Sequence, residues 1–238
     1  SQANAAPAII PAPPQLAASG YLLIDARTGK ALVEQNAEQR LPPASLTKIM
    51  TSYVAAKELA LGTISLEDEV DISVEAWRTE GSRMFVREGT KVRLEDLIRG
   101  IVIQSGNDAS VAVAEHIAGS EAAFADVMNQ YAVQLGMVGT NFANSTGLPD
   151  DSHYTTAHDL ALLTTALINE LPEHYAIYKE RSFTYGAPGE QPKRQANRNK
   201  LLFRDSTVDG VKTGHTKAAG YCLVASAVRD DMRLISVV

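Results

Sequence analysis

The chain has 238 residues, 45% of them hydrophobic, and a formal net charge of −6. That is enough for one large domain, or for two subdomains sharing a core. The acidic balance excludes the basic footprint of a nucleic-acid binder, and no apolar run approaches the roughly eighteen residues of a membrane helix.

Ser1–Ala18 is rich in Ala, Pro and Gln, without a charged start or a compact apolar stretch. It is not a signal peptide, but it fits the new N-terminus left when one is removed, and it is expected to be flexible. Gly20–Asp25 and Lys30–Glu34 read as two strands joined by a turn at Ala26–Gly29. Pro42 and Pro43 break the chain, and a helical pattern runs from Ser45 to Leu61, ended by Gly62. Glu69–Ser73 and Arg83–Arg87 are short strand-like pieces. Leu94–Ile103 reads as an apolar helix with two acids in its first turn. Further helices are expected at Asp108–Ile117 and Ser120–Leu135. Asn141–Tyr154 reads as loop, and Thr156 with Asp159 resembles a cap for a helix reaching Asn169. The polar stretch Gly186–Asn199 is a hairpin or surface loop. Val208–Lys212, Tyr221–Val228 and Arg233–Val238 read as strands. Cys222, the only cysteine, leaves no intrachain disulfide and no cysteine-based metal site; it reads as a small core residue. Strands at both ends with helices between predict an α/β fold, an antiparallel sheet flanked by helices with an inserted helical subdomain. The sheet subdomain is expected at about 19–65 plus 180–238, and the helical one at about 66–179.

Three short motifs follow one another. Ser45-Leu46-Thr47-Lys48 is the only S-x-x-K in the chain. Residues three apart share a helix face, so hydroxyl and amine can meet, and a neutral Lys48 can activate Ser45 as a nucleophile. A second cation nearby favours the neutral amine. Ser105-Gly106-Asn107 interrupts two helices; Ser105 can relay a proton, and Asn107 can bind a peptide carbonyl and a lysine ammonium at once. Lys212-Thr213-Gly214, followed by His215, ends a strand pattern. Gly214 lets a ligand approach the backbone closely, and an exposed strand there can pair with a peptide. Each motif alone has a plain structural reading as a cap, a helix break or a strand end. Arg27-Thr28-Gly29, a near copy of the third motif, falls in the first hairpin turn and reads as that turn only. Together and in this order the three are the signature of penicillin-binding proteins and class A β-lactamases.

The chain resembles the class C, low-molecular-mass penicillin-binding proteins of the penicillin-binding protein 5 type, which are D-Ala-D-Ala carboxypeptidases. The likeness runs from about Leu22 to the end and includes LPPASLTKIM at 41–50, QSGNDA at 104–109, NRNKLL at 197–202 and DGVKTGHT at 209–216. The resemblance implies that Ser45 forms an acyl-enzyme and Lys48 takes its proton. It implies that Ser105 and Asn107 belong to the proton and hydrogen-bond network. Lys212 then lies across the cleft, Thr213 holds a terminal carboxylate with Arg198 nearby, and the N–H groups of Ser45 and His215 form the oxyanion hole. The implied partners are a peptidoglycan stem peptide ending in D-Ala-D-Ala and β-lactams as covalent inhibitors. No metal, cofactor or nucleic acid is expected, and the implied location is the periplasm. Members of the family continue into a covering helix, a β-rich domain and a C-terminal membrane anchor, whereas this sequence stops at Val238 within a strand pattern. The expectation is therefore a truncated catalytic domain whose sheet has an apolar patch on one face. Trp77–Phe85 is shorter than in those relatives, which alters the cleft rim.

Three rivals remain at this level. A class A β-lactamase needs a deacylating glutamate, usually in E-x-x-x-N, which the chain lacks, and Gly106 stands where those enzymes usually have Asp. A sensor that acylates without turnover carries the same motifs. A metallohydrolase is disfavoured, since none of the five histidines forms H-E-x-x-H and His153 with His158 has poor helical spacing.

Overall fold

The structure is a computed structural model and describes residues 10–238. Residues 10–18 carry no secondary structure and are largely exposed; the first half of the segment expected to be flexible, residues 1–9, lies outside the described residues.

Strands β1 (Tyr21–Asp25) and β2 (Ala31–Gln35) form the opening hairpin, with Gly29 at φ +73° in its turn. A 3₁₀ turn, Ala44–Leu46, leads into helix α1 (Thr47–Leu61), which stops at the left-handed Gly62. Then come β3 (Glu69–Asp71), α2 (Val74–Arg78), β4 (Lys91–Arg93) and α3 (Leu94–Arg99). Helices α4 (Asn107–Ala118), α5 (Glu121–Gln134) and α6 (Ala157–Glu170) follow, with a short α7 (Pro172–Tyr175). The chain closes with a hairpin, β5 (Ser182–Tyr185) and β6 (Lys193–Ala196), a short α8 (Leu201–Arg204), and the strands β7 (Val208–Thr216), β8 (Gly220–Arg229) and β9 (Met232–Val237).

The strands from the two ends of the chain share one antiparallel sheet in the order β2-β1-β9-β8-β7. Its inner face carries Leu22, Ile24, Val224, Ile235 and Val237, all buried, and α6 packs on β1 and β9. On the alternate positions, Leu23, Val33, Leu223, Ala225 and Leu234 are only half-buried, so the second face holds a partly uncovered apolar strip. Helix α1 is the axis of the molecule. Residues Thr47–Ala56 are buried without interruption, because the helix is flanked by α4, α5 and α6 and touches β7. Such all-round burial marks a core helix rather than an amphipathic one.

The caps follow their side chains. Ser120 Oγ accepts the N–H of Ala123 at 3.1 Å, and Thr156 Oγ1 accepts that of Asp159 at 3.0 Å, so α5 and α6 begin where the sequence places them. Three details differ. The helix expected over Leu94–Ile103 changes after Arg99 to a π-helical turn, Gly100–Gln104, that ends on Ser105 in the left-handed region. The third motif does not end a strand but lies inside β7, because β8 pairs with it as far as Thr216 and Gly220. Arg83–Arg87 is not a strand: the N–H groups of Met84, Phe85 and Val86 go to the Asp108 carboxylate at 2.9–3.1 Å instead of to a neighbouring strand.

Asp108, at the start of α4, is fully buried and also accepts the N–H of Ala109. Four N–H donors compensate its burial, and stranding such buried donors costs about 1–3 kcal/mol each. Asp108→Ala is therefore expected to lower the unfolding free energy by about 3 kcal/mol or more, read as a lower urea midpoint by circular dichroism. A loss under about 1 kcal/mol would show that the loop's donors find water without cost.

Candidate active site

The 3₁₀ turn that presents Ser45 is held in a shape its sequence does not favour. Ala44 adopts φ +49°, a left-handed conformation that costs a residue with a Cβ. Two glycines allow the surroundings to close on it. A Cβ on Gly147, itself at φ +89°, lies 1.8 Å from the Ala44 carbonyl oxygen, and one on Gly214 lies 3.1 Å from the Ser45 nitrogen. The turn is thus clamped between the loop after α5 and strand β7. Ser45 precedes α1 rather than occupying its first helical turn, and Lys48, one turn on, still reaches it.

Lys48 is buried. Its Nζ donates to Ser45 Oγ at 2.9 Å, to Asn107 Oδ1 at 2.7 Å and to the Thr146 carbonyl at 2.9 Å. All three acceptors are uncharged. Burial therefore pushes its pKa well below the usual lysine value, and Lys212 and Arg198 push it further, against the opposing pull of Asp108. Lys212 is also buried, and donates to the Thr213 carbonyl at 2.9 Å. Its pKa is brought down to about 7, first by burial and then by Arg198. Arg198 is exposed and anchored by its own N–H to Ile103 and by Nε to the Gln104 carbonyl at 3.0 Å.

The Thr213 carbonyl faces Lys212 and so points away from β8. Alternate residues of a strand present their N–H and C=O groups to the same side, so His215 turns its N–H to that side as well. β7 ends the sheet order, so this edge has no strand partner among the described residues. The His215 ring lies against Tyr221, centroids 4.2 Å apart. Ser105 is buried at φ +63°, and its Oγ has no hydrogen-bond partner among the described residues. Asn107 is fixed from both ends: Oδ1 on Lys48, and Nδ2 on the Glu80 carbonyl at 2.7 Å, so one of its two amide hydrogens is already committed. The structure thus joins Ser45, Lys48 and Asn107 directly and sets Lys212 and Arg198 in their electrostatic field. Ser105, two residues before Asn107, is buried and unpartnered among the described residues, and Gly214 closes against Ser45.

Several contributors escaped sequence reasoning. The loop read as Asn141–Tyr154 supplies the Thr146 carbonyl, and its shape comes from Asn144, whose Oδ1 accepts the N–H groups of Thr146 and Gly147; Asn-Ser-Thr-Gly is a turn signal that marks such a site only once its neighbours are known. His153 accepts the Ala143 N–H on Nδ1 at 2.8 Å, so its proton sits on Nε2, which donates to Thr47 Oγ1 at 2.7 Å. Burial pulls its pKa down to about 4, and it ties the loop to α1 as a neutral ring. Cys222, expected in the core, is half-buried at the core's edge, where its Sγ would lie 2.8 Å from a Cβ on Gly214. Burial pushes its thiol up to about 11, so it packs as an uncharged group behind the cleft.

A model of one protein family, described as D-alanyl-D-alanine carboxypeptidase, matches residues 7–238. The chain belongs to that family. It is 48% identical over 237 residues to D-alanyl-D-alanine carboxypeptidase DacA of Escherichia coli K12, a match covering 97% of this chain and 58% of that protein. DacF of Bacillus subtilis is 41% identical, covering 93% and 57%. Among solved structures, penicillin binding protein 5 of Haemophilus influenzae superposes with TM-score 0.90 at 46% identity, covering 95% of this chain and 66% of that one. The fold is thus the one the three motifs imply. The chain spans a little over half the length of these curated relatives.

Two outcomes follow from the clamp and the buried amines. Gly147→Ala meets the Ala44 carbonyl and is expected to slow penicillin acylation by about a hundredfold, as a misplacement near 1 Å does. Gly119→Ala, also at positive φ but with open space around it, is the control that leaves the rate unchanged; equal rates for the two would remove the clamp argument. Lys212 is lowered to about 7 in the folded state against 10.5 as the ordinary value. Between those limits the unfolded chain binds a proton that the folded chain lacks, so its contribution makes stability rise with pH across that window. In urea titrations from pH 7 to 9, Lys212→Met is expected to show a smaller rise than wild type; an identical slope would mean Lys212 is not desolvated.

Proposed function

We propose that the chain is the catalytic portion of a serine D-Ala-D-Ala carboxypeptidase that removes the terminal D-alanine from peptidoglycan stem peptides. The observation that carries this reading is the Lys48 amine, buried among neutral acceptors and 2.9 Å from Ser45 Oγ. Burial without a carboxylate partner favours the neutral amine, and a serine beside a neutral amine is an activated nucleophile.

The steps are these. The lone pair of Lys48 Nζ takes the proton from Ser45, and Oγ bonds to the carbonyl carbon of the penultimate D-alanine. The carbonyl π electrons move onto oxygen, held by the N–H groups of Ser45 and His215. Collapse breaks the C–N bond, and the leaving amine takes the proton from Lys48 through Ser105, whose unpartnered hydroxyl suits a relay. Lys48 then takes a proton from water, whose oxygen bonds to the ester carbonyl carbon; collapse breaks the bond to Oγ, Lys48 returns the proton to Ser45, and the shortened peptide leaves. Thr213, Lys212 and Arg198 hold the terminal carboxylate. Asn107 keeps Lys48 in place. The edge of β7 without a strand partner pairs with the extended peptide, and Gly214 lets it lie close. β-Lactams acylate the same serine, and their ring opening supplies the leaving amine. A cell-wall polymer as substrate supports a periplasmic location.

The decisive measurement is mass spectrometry after brief exposure to benzylpenicillin, with peptide mapping, beside release of D-alanine from a peptide ending in D-Ala-D-Ala. The adduct is expected on Ser45, and Ser45→Ala is expected to lose both signals while keeping its fold. Adduct formation without D-alanine release identifies a sensor instead. Lys48→Arg keeps the charge but cannot give it up, so acylation is expected to fall at least about a thousandfold; near-normal acylation would rule out Lys48 as the base.

A further inference from the structure

The loop between α2 and β4 has two sides. Its backbone carbonyls serve the site: Glu80 holds Asn107, Arg83 holds Gln104 at 3.2 Å, and Met84 holds Gln195 at 3.0 Å. Its side chains serve something else. Arg83, Phe85 and Arg87, with Trp77 from α2 and Glu190 and Lys193 from the β5–β6 hairpin, line an open cavity of about 510 Å³.

Two features set this cavity apart from ordinary surface. Phe85 sits at φ +70° and is 62% exposed, and Trp77 is 40% exposed. A bulky aromatic residue in the left-handed region is a rare and costly arrangement. Asp108 imposes it by binding the N–H of Phe85 and of both its neighbours, and the ring so placed gains little burial. The charges are also unbalanced. Arg87 pairs with Glu190, the one carboxylate on the wall. Arg83 is anchored by Nε to the Thr79 carbonyl, and neither it nor Lys193 has a carboxylate partner among the described residues.

We propose that this cavity is a subsite for the glycan-proximal part of the cell-wall strand, with an N-acylated sugar ring on the faces of Phe85 and Trp77 and a carboxylate of the attached peptide against Arg83 and Lys193. Sugar rings present C–H faces that stack on aromatic faces, and a carboxylate fits the cations left unpaired. The loop that carries the platform also fixes Asn107, so the subsite lies one loop away from Ser45. This inference rests on the reading of that site as a D-Ala-D-Ala hydrolase.

The test compares wild type, Phe85→Ala and Lys193→Ala on three substrates: diacetyl-L-Lys-D-Ala-D-Ala, N-acetylmuramyl pentapeptide and benzylpenicillin. For each variant, kcat/KM on the muramyl substrate is expected to fall about tenfold, with the short peptide and penicillin acylation unchanged. Equal loss on both peptides would mean that the loop only positions Asn107, and no loss on the muramyl substrate would empty the subsite; either overturns the proposal. A calorimetric readout separates the two levels. Muramyl pentapeptide binding to Ser45→Ala, with and without Phe85→Ala, reports on the subsite even if wild type cleaves neither peptide. An unchanged Kd there overturns the subsite alone, whereas failure of wild type to cleave either peptide overturns the hydrolase reading alone.

Discussion

A lysine ammonium without a carboxylate, deep in a protein, is the constraint around which this molecule is arranged. Burying a charge is costly unless it is paired or neutralised. Lys48 is given three neutral acceptors, one from each of three segments: Ser45 from the turn before α1, Asn107 from the start of α4, and Thr146 from the loop after α5. As an ammonium Lys48 donates to all three without meeting a counter-charge; once neutral it keeps two N–H groups for Asn107 and Thr146, and its lone pair faces the Ser45 hydroxyl as a base. The same three bonds bring the turn, the helix start and the loop to one point, so the site's chemistry and the packing of its surroundings have one cause.

The rest of the structure reads as support for that point. α1 is buried along Thr47–Ala56, which fixes Lys48 relative to the core. Asp108 stands next to Asn107 and gathers the loop over α4 with three N–H bonds, so Asn107 cannot drift. Gly147 and Gly214 remove the side chains that would hold the loop and β7 away from Ser45. Thr47 is pinned by the neutral His153. Each of these is a close approach or a buried polar contact, and none acts through surface charge.

What was legible in the sequence divides along the same line. Ser45 with Lys48, and Ser105 with Asn107, are local: a helical repeat and a helix break place them, and both are visible as short spacings. The strands at the two chain ends show their apolar pattern, and Ser120 and Thr156 announce their helices. The Thr146 carbonyl carries no side-chain signal at all, since any residue offers one. Arg83–Arg87 alternates like a strand, with Met84 and Val86 buried, but its hydrogen bonds go to a carboxylate on α4 that local pattern cannot pair with it. The length of β7 depends on β8, and the position of Cys222 depends on facing Gly214 across that pair. These are long-range facts, and a one-dimensional pattern has no term for them.

The two lysines also differ in a way that matters for the proposed reaction. Lys48 has its pKa lowered by burial and then by the charges of Lys212 and Arg198. Those two cations are the groups proposed to receive the substrate's terminal carboxylate. An anion set between them offsets their field at Lys48, so binding moves the Lys48 pKa upward. In the free enzyme burial and the two cations lower the pKa and so favour the unprotonated amine. In the complex the higher value makes it a stronger acceptor for the Ser45 proton just when the peptide carbonyl is in place. A ligand without the carboxylate leaves the field intact and the base weak. Discrimination for a terminal carboxylate is then exercised through the strength of the base as well as through contact, and it needs no moving part beyond the two buried amines and one arginine.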